Sequence, residues 1–206
     1  MLECQRCFWL TQHKIWKRPN GIFPSLPSGM DSIIKIHFDR FRERKTLPPE
    51  INNDMLDNRT SLFDDKQLLE IWRNNFKGIS WTDNEGNILK GAVDDILIKE
   101  DKLIVLDYKT KGFALKNNSA SFYQNQLDIY NFILRKNGYK TEDYAFLLFY
   151  IPKEISKSGE IVFDTNLVKV NTNIKNAELL FLGALALLDC SCPKQTCEWC
   201  RSIGQS

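Results

Sequence analysis

The residues most able to carry out chemistry are two aspartates and a lysine on neighbouring predicted strands. Asp94 lies within one predicted strand, 88–99, and Asp107-x-Lys109 lies near the end of the next. Side chains alternate between the two faces of a strand, so Asp107 and Lys109 share a face. A short turn should make the strands antiparallel neighbours, so we expect Asp94 and Asp107 to lie close together.

This set of groups is suited to phosphodiester hydrolysis. Two carboxylates among apolar residues repel each other, and a hard divalent cation such as Mg²⁺ would neutralise them. The backbone carbonyl of Tyr108 could supply a third oxygen ligand, and Lys109 could orient water or stabilise charge on a phosphate. The alternative is an ordinary Lys–Asp pair at an exposed strand end.

The predicted helix that follows adds Gln126 and Tyr130, which lie four residues apart and so share a helical face. The ordered motifs are Gly91-x-x-Asp94, Asp107-x-Lys109-Thr110 and Gln126-x-x-x-Tyr130. Together they resemble the RecB-like branch of the PD-(D/E)XK nuclease superfamily, which includes CRISPR-associated RecB-like exonucleases and AddB-type nuclease domains.

The resemblance implies a restriction-endonuclease-like core and a DNA substrate. It implies that Asp94 and Asp107 bind Mg²⁺ or Mn²⁺, that Lys109 is catalytic, and that Gln126 and Tyr130 line the substrate side. The implied activity is that of an exonuclease-like deoxyribonuclease in DNA repair, recombination or defence.

One position departs from the pattern of these relatives. Many carry a metal-binding His in a Gly-x-x-x-His motif on the first helix, whereas Gly29 is followed at that spacing by Ile33. His37 lies one helical turn further along and could replace the missing ligand. If this ligand is missing, the metal site has fewer ligands. The alternative is then a catalytically inactive nucleic-acid-binding module of the same fold.

Six cysteines suggest a second metal centre. Cys4-x-x-Cys7 lies near one end of the chain and Cys197-x-x-Cys200 near the other. Two such pairs supply four thiolates, enough for Zn²⁺ or a [4Fe–4S] cluster. Buried apolar cysteines, a redox pair, or a Cys-based metal or redox sensor are the alternatives.

The N-terminal segment from Cys4 to Leu10 resembles that of the RecB-like exonucleases, in which one N-terminal and three C-terminal cysteines hold a [4Fe–4S] cluster. In this chain a third cysteine does not follow Cys200, and Cys7 is additional. We therefore expect a two-plus-two set, with the resemblance favouring the cluster over zinc. Cys190 or Cys192 could replace one member.

Periodicity and turn residues predict the elements that would position these groups. The predicted helices cover 29–44, 66–74, 121–136 and 174–188, and the predicted strands cover 79–82, 88–99, 103–110, 144–151 and 161–170. The expected fold is α/β: a mixed central sheet with an antiparallel meander, flanked by helices. We expect one domain over 1–206, with 1–16 and 189–206 joined by the cysteine site.

Bulk properties narrow the class of protein. The chain has 206 residues and a net charge of +2, so charge alone does not indicate nucleic acid. The longest apolar stretch, 177–188, is too short to span a bilayer and is expected to form a buried helix. Without an apparent signal peptide, we expect a cytoplasmic protein. A P-loop motif is not found, so any helicase or other recombination or defence activity would come from a partner.

Overall fold

The structure is a computed structural model that describes residues 1–19, 21, 25–51, 54–194 and 197–202. It contains two compact units. The larger is Ser25–Ala177, and the smaller combines Met1–Pro24 with Glu178–Ser206. The expectation of one domain over 1–206 stays a prediction.

Helices lie at both ends of the chain, and strands and helices lie between them. The helices are α1 Gln5–Gln12, α2 Ser25–Glu43, α3 Lys66–Arg73, α4 Gln124–Lys136, α5 Ile174–Asp189 and α6 Glu198–Ser202. The strands are β1 Thr60–Leu62, β2 Ile79–Thr82, β3 Ile88–Gly91, β4 Asp95–Lys99, β5 Lys102–Thr110, β6 Tyr144–Ile155 and β7 Ile161–Asn171. A 3₁₀ turn, Ser121–Tyr123, leads into α4.

The larger unit is built on a mixed five-stranded sheet in the order β1-β4-β5-β6-β7. β5 and β6 are parallel, whereas the other neighbours are antiparallel. α4 lies in the connection between β5 and β6, because parallel strands need a crossover. These features confirm the predicted α/β fold with a mixed sheet flanked by helices.

Each face of the sheet carries its own hydrophobic core. On one face, Val105 of β5 packs with residues of α3 and α4, including Trp72 and Leu127. On the other, Leu106 packs with Ile34 and Phe38 of α2. The alternation along β5 therefore directs Val105, Asp107 and Lys109 toward α4, as the period of two predicts.

The predicted strand at 88–99 is wrong in one respect, because it is divided in two. β3 pairs with β2 in a separate hairpin, whereas β4 pairs with β1 and β5 in the main sheet. Between them, the Val93 amide donates to the carbonyl of Trp72 in α3, which draws this segment away from strand pairing. The predicted meander therefore spans two sheets.

Two further differences concern helix and strand ends. α2 begins at Ser25 instead of Gly29, because Pro27 in its first turn needs no hydrogen bond from its own nitrogen. β1 lies in a segment predicted as loop, since three residues leave little periodicity to detect. On α2 itself, Ile33 is 68% exposed, whereas its neighbour Ile34 is buried.

The apolar helix α5 is less buried than its composition predicts. Ala177 is fully buried, but Leu179 and Leu182 are more than half exposed. Among the described residues, the helices are each too short or too polar to cross a membrane.

Candidate active site and cysteine centre

The β4–β5 hairpin brings Asp94 beside the residues that follow Asp107. Asp95 pairs with Leu106 in the register, which leaves Asp94 just beyond the paired part of β4. The backbone N–H of Tyr108 donates to Asp94 Oδ2 at 2.8 Å. Strand pairing between β4 and β5 does not extend to Asp94. The Tyr108 N–H therefore holds the Asp94 carboxylate beside the Asp107–Tyr108 peptide.

Gly91 is required by the close packing of Tyr130. A Cβ atom at position 91 would lie 2.5 Å from Tyr130 Cε1, so a larger residue would displace the ring. The ring approaches β3 from α4 and is nearly buried. The glycine of the Gly91-x-x-Asp94 motif therefore makes room for the tyrosine of the α4 motif.

Gln126 connects that tyrosine to the acidic pair. Its amide nitrogen donates to Asp107 Oδ1 and to the Tyr130 hydroxyl, each at 2.9 Å. Asp128 turns to different partners: it accepts from Gln124 and from the backbone N–H of Asn173. Gln126 and Tyr130 thus face the acidic pair, whereas Asp128 faces away from it.

Lysines flank both carboxylates. Lys109 forms an ion pair with Asp107 Oδ2, and its ammonium lies 4.7 Å from the centre of the Tyr123 ring. Lys35 of α2 lies 3.2 Å from Asp94 Oδ1 and 2.8 Å from Asp31. Two ammonium groups therefore contact two neighbouring carboxylates.

Asp107 is the most electrostatically unfavourable member of this group. It is 1% exposed, and its burial, together with the nearby negative charge of Asp94, raises its pKa to about 7 against the opposing effect of Lys109. Oδ2 is buried and, among the described residues, accepts no hydrogen bond, although Lys109 contacts it as an ion. Burial also raises the pKa of Tyr130, to about 12, so its hydroxyl stays protonated near neutrality.

The sequence profile of the PD-(D/E)XK nuclease superfamily matches residues 31–202. This span includes every group of the site just described. The chain belongs to the PD-(D/E)XK nuclease superfamily. No curated protein sequence matches the chain.

Membership of the superfamily suggests a metal-dependent nuclease fold. The acidic groups of this chain also fit a divalent cation. Asp107 is buried with a second carboxylate beside it, and its pKa is raised although Lys109 contacts its Oδ2. Mg²⁺ and Mn²⁺ take oxygen ligands of this type. The Tyr108 backbone carbonyl belongs to the peptide segment that holds Asp94, and its role as a third ligand stays a prediction.

His37 lies in different surroundings from the acidic pair. Its Nε2 is 2.9 Å from Glu50 Oε1, and the Tyr150 hydroxyl donates to the same oxygen at 2.8 Å. The side chain of α2 that contacts Asp94 is Lys35. A metal-binding role for His37 stays a prediction.

Sequence analysis missed Lys35 and the cluster around Asp95. Asp95 is fully buried and accepts from Arg42, Arg73 and the Tyr108 hydroxyl. The adjacent pair Asp94-Asp95 was a usable signal, because alternation must send the two side chains to opposite faces of the strand. For Lys35, the only sequence signal was its i,i+4 spacing from Asp31, which predicts an ion pair on one helical face.

The four predicted cysteines converge within the smaller unit. The Sγ atoms of Cys4, Cys7, Cys197 and Cys200 all lie within 4.8 Å of one another. Three of the four residues are buried, and burial raises the pKa of the Cys7 thiol to about 12 in the absence of an ion. The group could therefore bind a metal, with its thiols losing their protons as it does so.

Cys190 and Cys192 lie outside this group. Cys190 is exposed, and its backbone carbonyl accepts from the Trp9 indole at 3.0 Å. Arg6 donates to Cys192 Sγ at 3.1 Å and to the Pro193 carbonyl at 2.8 Å. Arg6 thus fixes the Cys192 thiol in a contact of its own.

Proposed function

We propose that this protein is a metal-dependent nuclease that hydrolyses DNA phosphodiester bonds at the Asp94–Asp107 site. The observation that carries the proposal is the Asp107 carboxylate. It is buried beside a second carboxylate, and its pKa is raised to about 7 even though the Lys109 ammonium contacts its Oδ2. Its charge therefore remains costly in the fold, and a divalent cation would offset that cost.

Asp94, Asp107 and the Tyr108 carbonyl are proposed to hold Mg²⁺ or Mn²⁺. The bound ion would act as a Lewis acid and lower the pKa of a coordinated water. Gln126 accounts for Oδ1 of Asp107, so Oδ2, which contacts Lys109, is the oxygen that would bind the ion. Its second bond, to the Tyr130 hydroxyl, fixes the amide in that orientation.

The charges of the site would favour a phosphate. Lys35 and Lys109 offset the two carboxylates, so a divalent cation would leave a net positive charge toward the substrate. Lys109, held between Asp107 and the Tyr123 ring, is placed to orient the attacking water and to stabilise charge on the phosphate oxygens. Cleavage forms a bond from water oxygen to phosphorus and breaks the bond to one sugar oxygen.

The finer assignments rest on the motif resemblance. Exonuclease-like action, the RecB-like branch, a role in DNA repair, recombination or defence, and a separate helicase or defence partner are proposed on that basis. DNA is proposed as the substrate because the relatives that share these motifs act on it.

One contact favours a second candidate, an inactive nucleic-acid-binding module. Lys35 forms an ion pair with Asp94 Oδ1, an oxygen that a metal would otherwise use, on the helix where relatives carry histidine. Under this alternative, the protein binds nucleic acid without cleaving it, whichever divalent metal is present.

Both candidates are tested by incubating the purified protein with end-labelled single-stranded DNA, double-stranded DNA and RNA. Each substrate is combined with Mn²⁺, Mg²⁺ or chelator. The nuclease proposal predicts cleavage of DNA that needs metal and is lost in Asp107→Asn. Asp101→Asn is the matched control, because Asp101 is a surface residue paired with Lys140. Cleavage in chelator, or full activity of Asp107→Asn, contradicts the proposal.

A further inference from the structure

The distances among the four clustered sulfurs limit what they can bind. Cys4 Sγ lies 3.9 Å from Cys200 Sγ, and Cys7 Sγ lies 3.5 Å from Cys197 Sγ. Cys197 Sγ and Cys200 Sγ are 3.6 Å apart. The two Cys-x-x-Cys pairs therefore meet as one compact group of sulfurs.

These separations match the ligands of a single tetrahedral ion. A zinc–sulfur distance of about 2.3 Å puts neighbouring sulfurs of a regular tetrahedron about 3.8 Å apart. In a [4Fe–4S] cluster, each thiolate binds a different iron, and sulfides bridge the irons. The thiolates then surround eight atoms, for which sulfurs within 4.8 Å of one another leave no room.

Each pair also supports its own sulfurs through backbone donors. The Cys7 N–H donates to Cys4 Sγ at 3.5 Å, and the Cys197 N–H donates to Cys200 Sγ at 3.4 Å. These bonds stabilise the thiolate form that a metal requires. Each pair thus contributes one backbone N–H to a sulfur of the shared centre.

A nearby cation suits the charge of the loaded site. Four thiolates and one Zn²⁺ carry a net charge of −2, and the Arg18 guanidinium lies 3.8 Å from Cys197 Sγ. Burial of Cys4, Cys7 and Cys200, with Trp16 packed against them, would shield the ion from water.

We propose that Cys4, Cys7, Cys197 and Cys200 bind one Zn²⁺ ion, not the [4Fe–4S] cluster that the sequence resemblance implied. The role is structural. α1 has 8 residues and α6 has 5, both too short to be stable as isolated helices. The binding energy of the ion would therefore become folding energy of the smaller unit.

The test is metal analysis of the full chain, purified anaerobically from cells grown with both iron and zinc. We expect about one zinc per chain, little iron and a colourless protein. Replacement of zinc by Co²⁺ should give the intense visible bands of tetrahedral thiolate coordination. Four irons with acid-labile sulfide, a single iron, or neither metal would each overturn the proposal.

Cysteine variants test which sulfurs bind the ion. Cys197→Ser should lose the zinc and lower the melting temperature, whereas Cys192→Ser, the matched control in the same segment, should retain one zinc. Retention of zinc by Cys197→Ser together with its loss from Cys192→Ser would contradict the assignment. If Cys197→Ser does not fold, the metal content of the wild type and of Cys192→Ser still decides between zinc and the cluster.

Discussion

Two buried carboxylates of the same hairpin have opposite surroundings. Asp95 is fully buried between two guanidinium groups, those of Arg42 and Arg73, and also accepts from the Tyr108 hydroxyl. Asp107 is as deeply buried, but a second carboxylate lies beside it, and the Lys109 ammonium on Oδ2 does not prevent a raised pKa.

The difference separates a structural charge, that of Asp95, from the charge of Asp107, which we propose to be functional. The protein neutralises Asp95 with its own cations, so that carboxylate stabilises the packing of α2 and α3 on the sheet. The surroundings of Asp107 raise its pKa to about 7, which means that the folded protein disfavours its charge. Strongly perturbed pKa values of this kind are concentrated at functional sites.

The largest expected effect is on catalysis. Asp107→Asn should lower DNA cleavage by at least about 10²–10³-fold, because the variant loses a metal-bound oxygen at the reacting centre. The same variant should unfold at a higher temperature than the wild type in chelator at pH 8, because the repulsion with Asp94 is removed. Steady-state cleavage and thermal unfolding measure the two effects.

The next effect has the opposite sign for stability. Asp95→Asn should lower the free energy of unfolding by about 3 kcal/mol, because it removes the buried carboxylate that Arg42 and Arg73 share and leaves Asp39 as their carboxylate partner. Urea unfolding at pH 7 measures it. A change below about 1 kcal/mol would remove the distinction between the two carboxylates.

A smaller effect is expected at Gln126. Gln126→Ala should lower cleavage by about 10–100-fold with little change in melting temperature, because Gln126 orients Asp107 without binding the substrate phosphate itself. The matched control is Gln124→Ala on the same helix, whose amide donates to Asp128 and the Asn171 carbonyl. Gln124→Ala should lose stability more than activity per folded molecule. If Gln126→Ala instead loses stability and keeps its activity per folded molecule, Gln126 is a packing residue.

The last effect concerns pH. Folding raises the pKa of Asp107 from an ordinary value of 3.8 to about 7, so its contribution to stability is present below pH 4 and is lost as pH rises to about 7. In chelator, wild type should therefore lose stability relative to Asp107→Asn over this window, by about 1.4 kcal/mol for each unit by which the pKa is raised. Parallel stability curves for the two proteins would contradict this account.

Local periodicity predicted most of the fold. The apolar run from Tyr144 became the interior strand β6, and the alternation along β5 placed Asp107 and Lys109 on one face. The break between β3 and β4 could not be predicted in this way, since it depends on the bond from Val93 to Trp72 of a distant helix.

The site was predictable to the extent that its residues are close in sequence or carry a motif. The three motif segments identified the acidic pair and the α4 residues that face it. Lys35 and Arg42 could not be predicted from one sequence, because their partners lie 59 and 53 positions away and a basic residue on a helix is usually solvated. The sulfur separations that favour zinc also exist only in three dimensions.

The most direct test of the central claim is calorimetric titration of the metal-free protein with Mn²⁺ at pH 7.5. The account predicts that wild type binds Mn²⁺ at the acidic site and that Asp107→Asn loses this binding, whereas the surface control Asp101→Asn retains it. Undiminished binding by Asp107→Asn, or no binding by the wild type, would contradict the claim that the Asp107 carboxylate is a metal ligand.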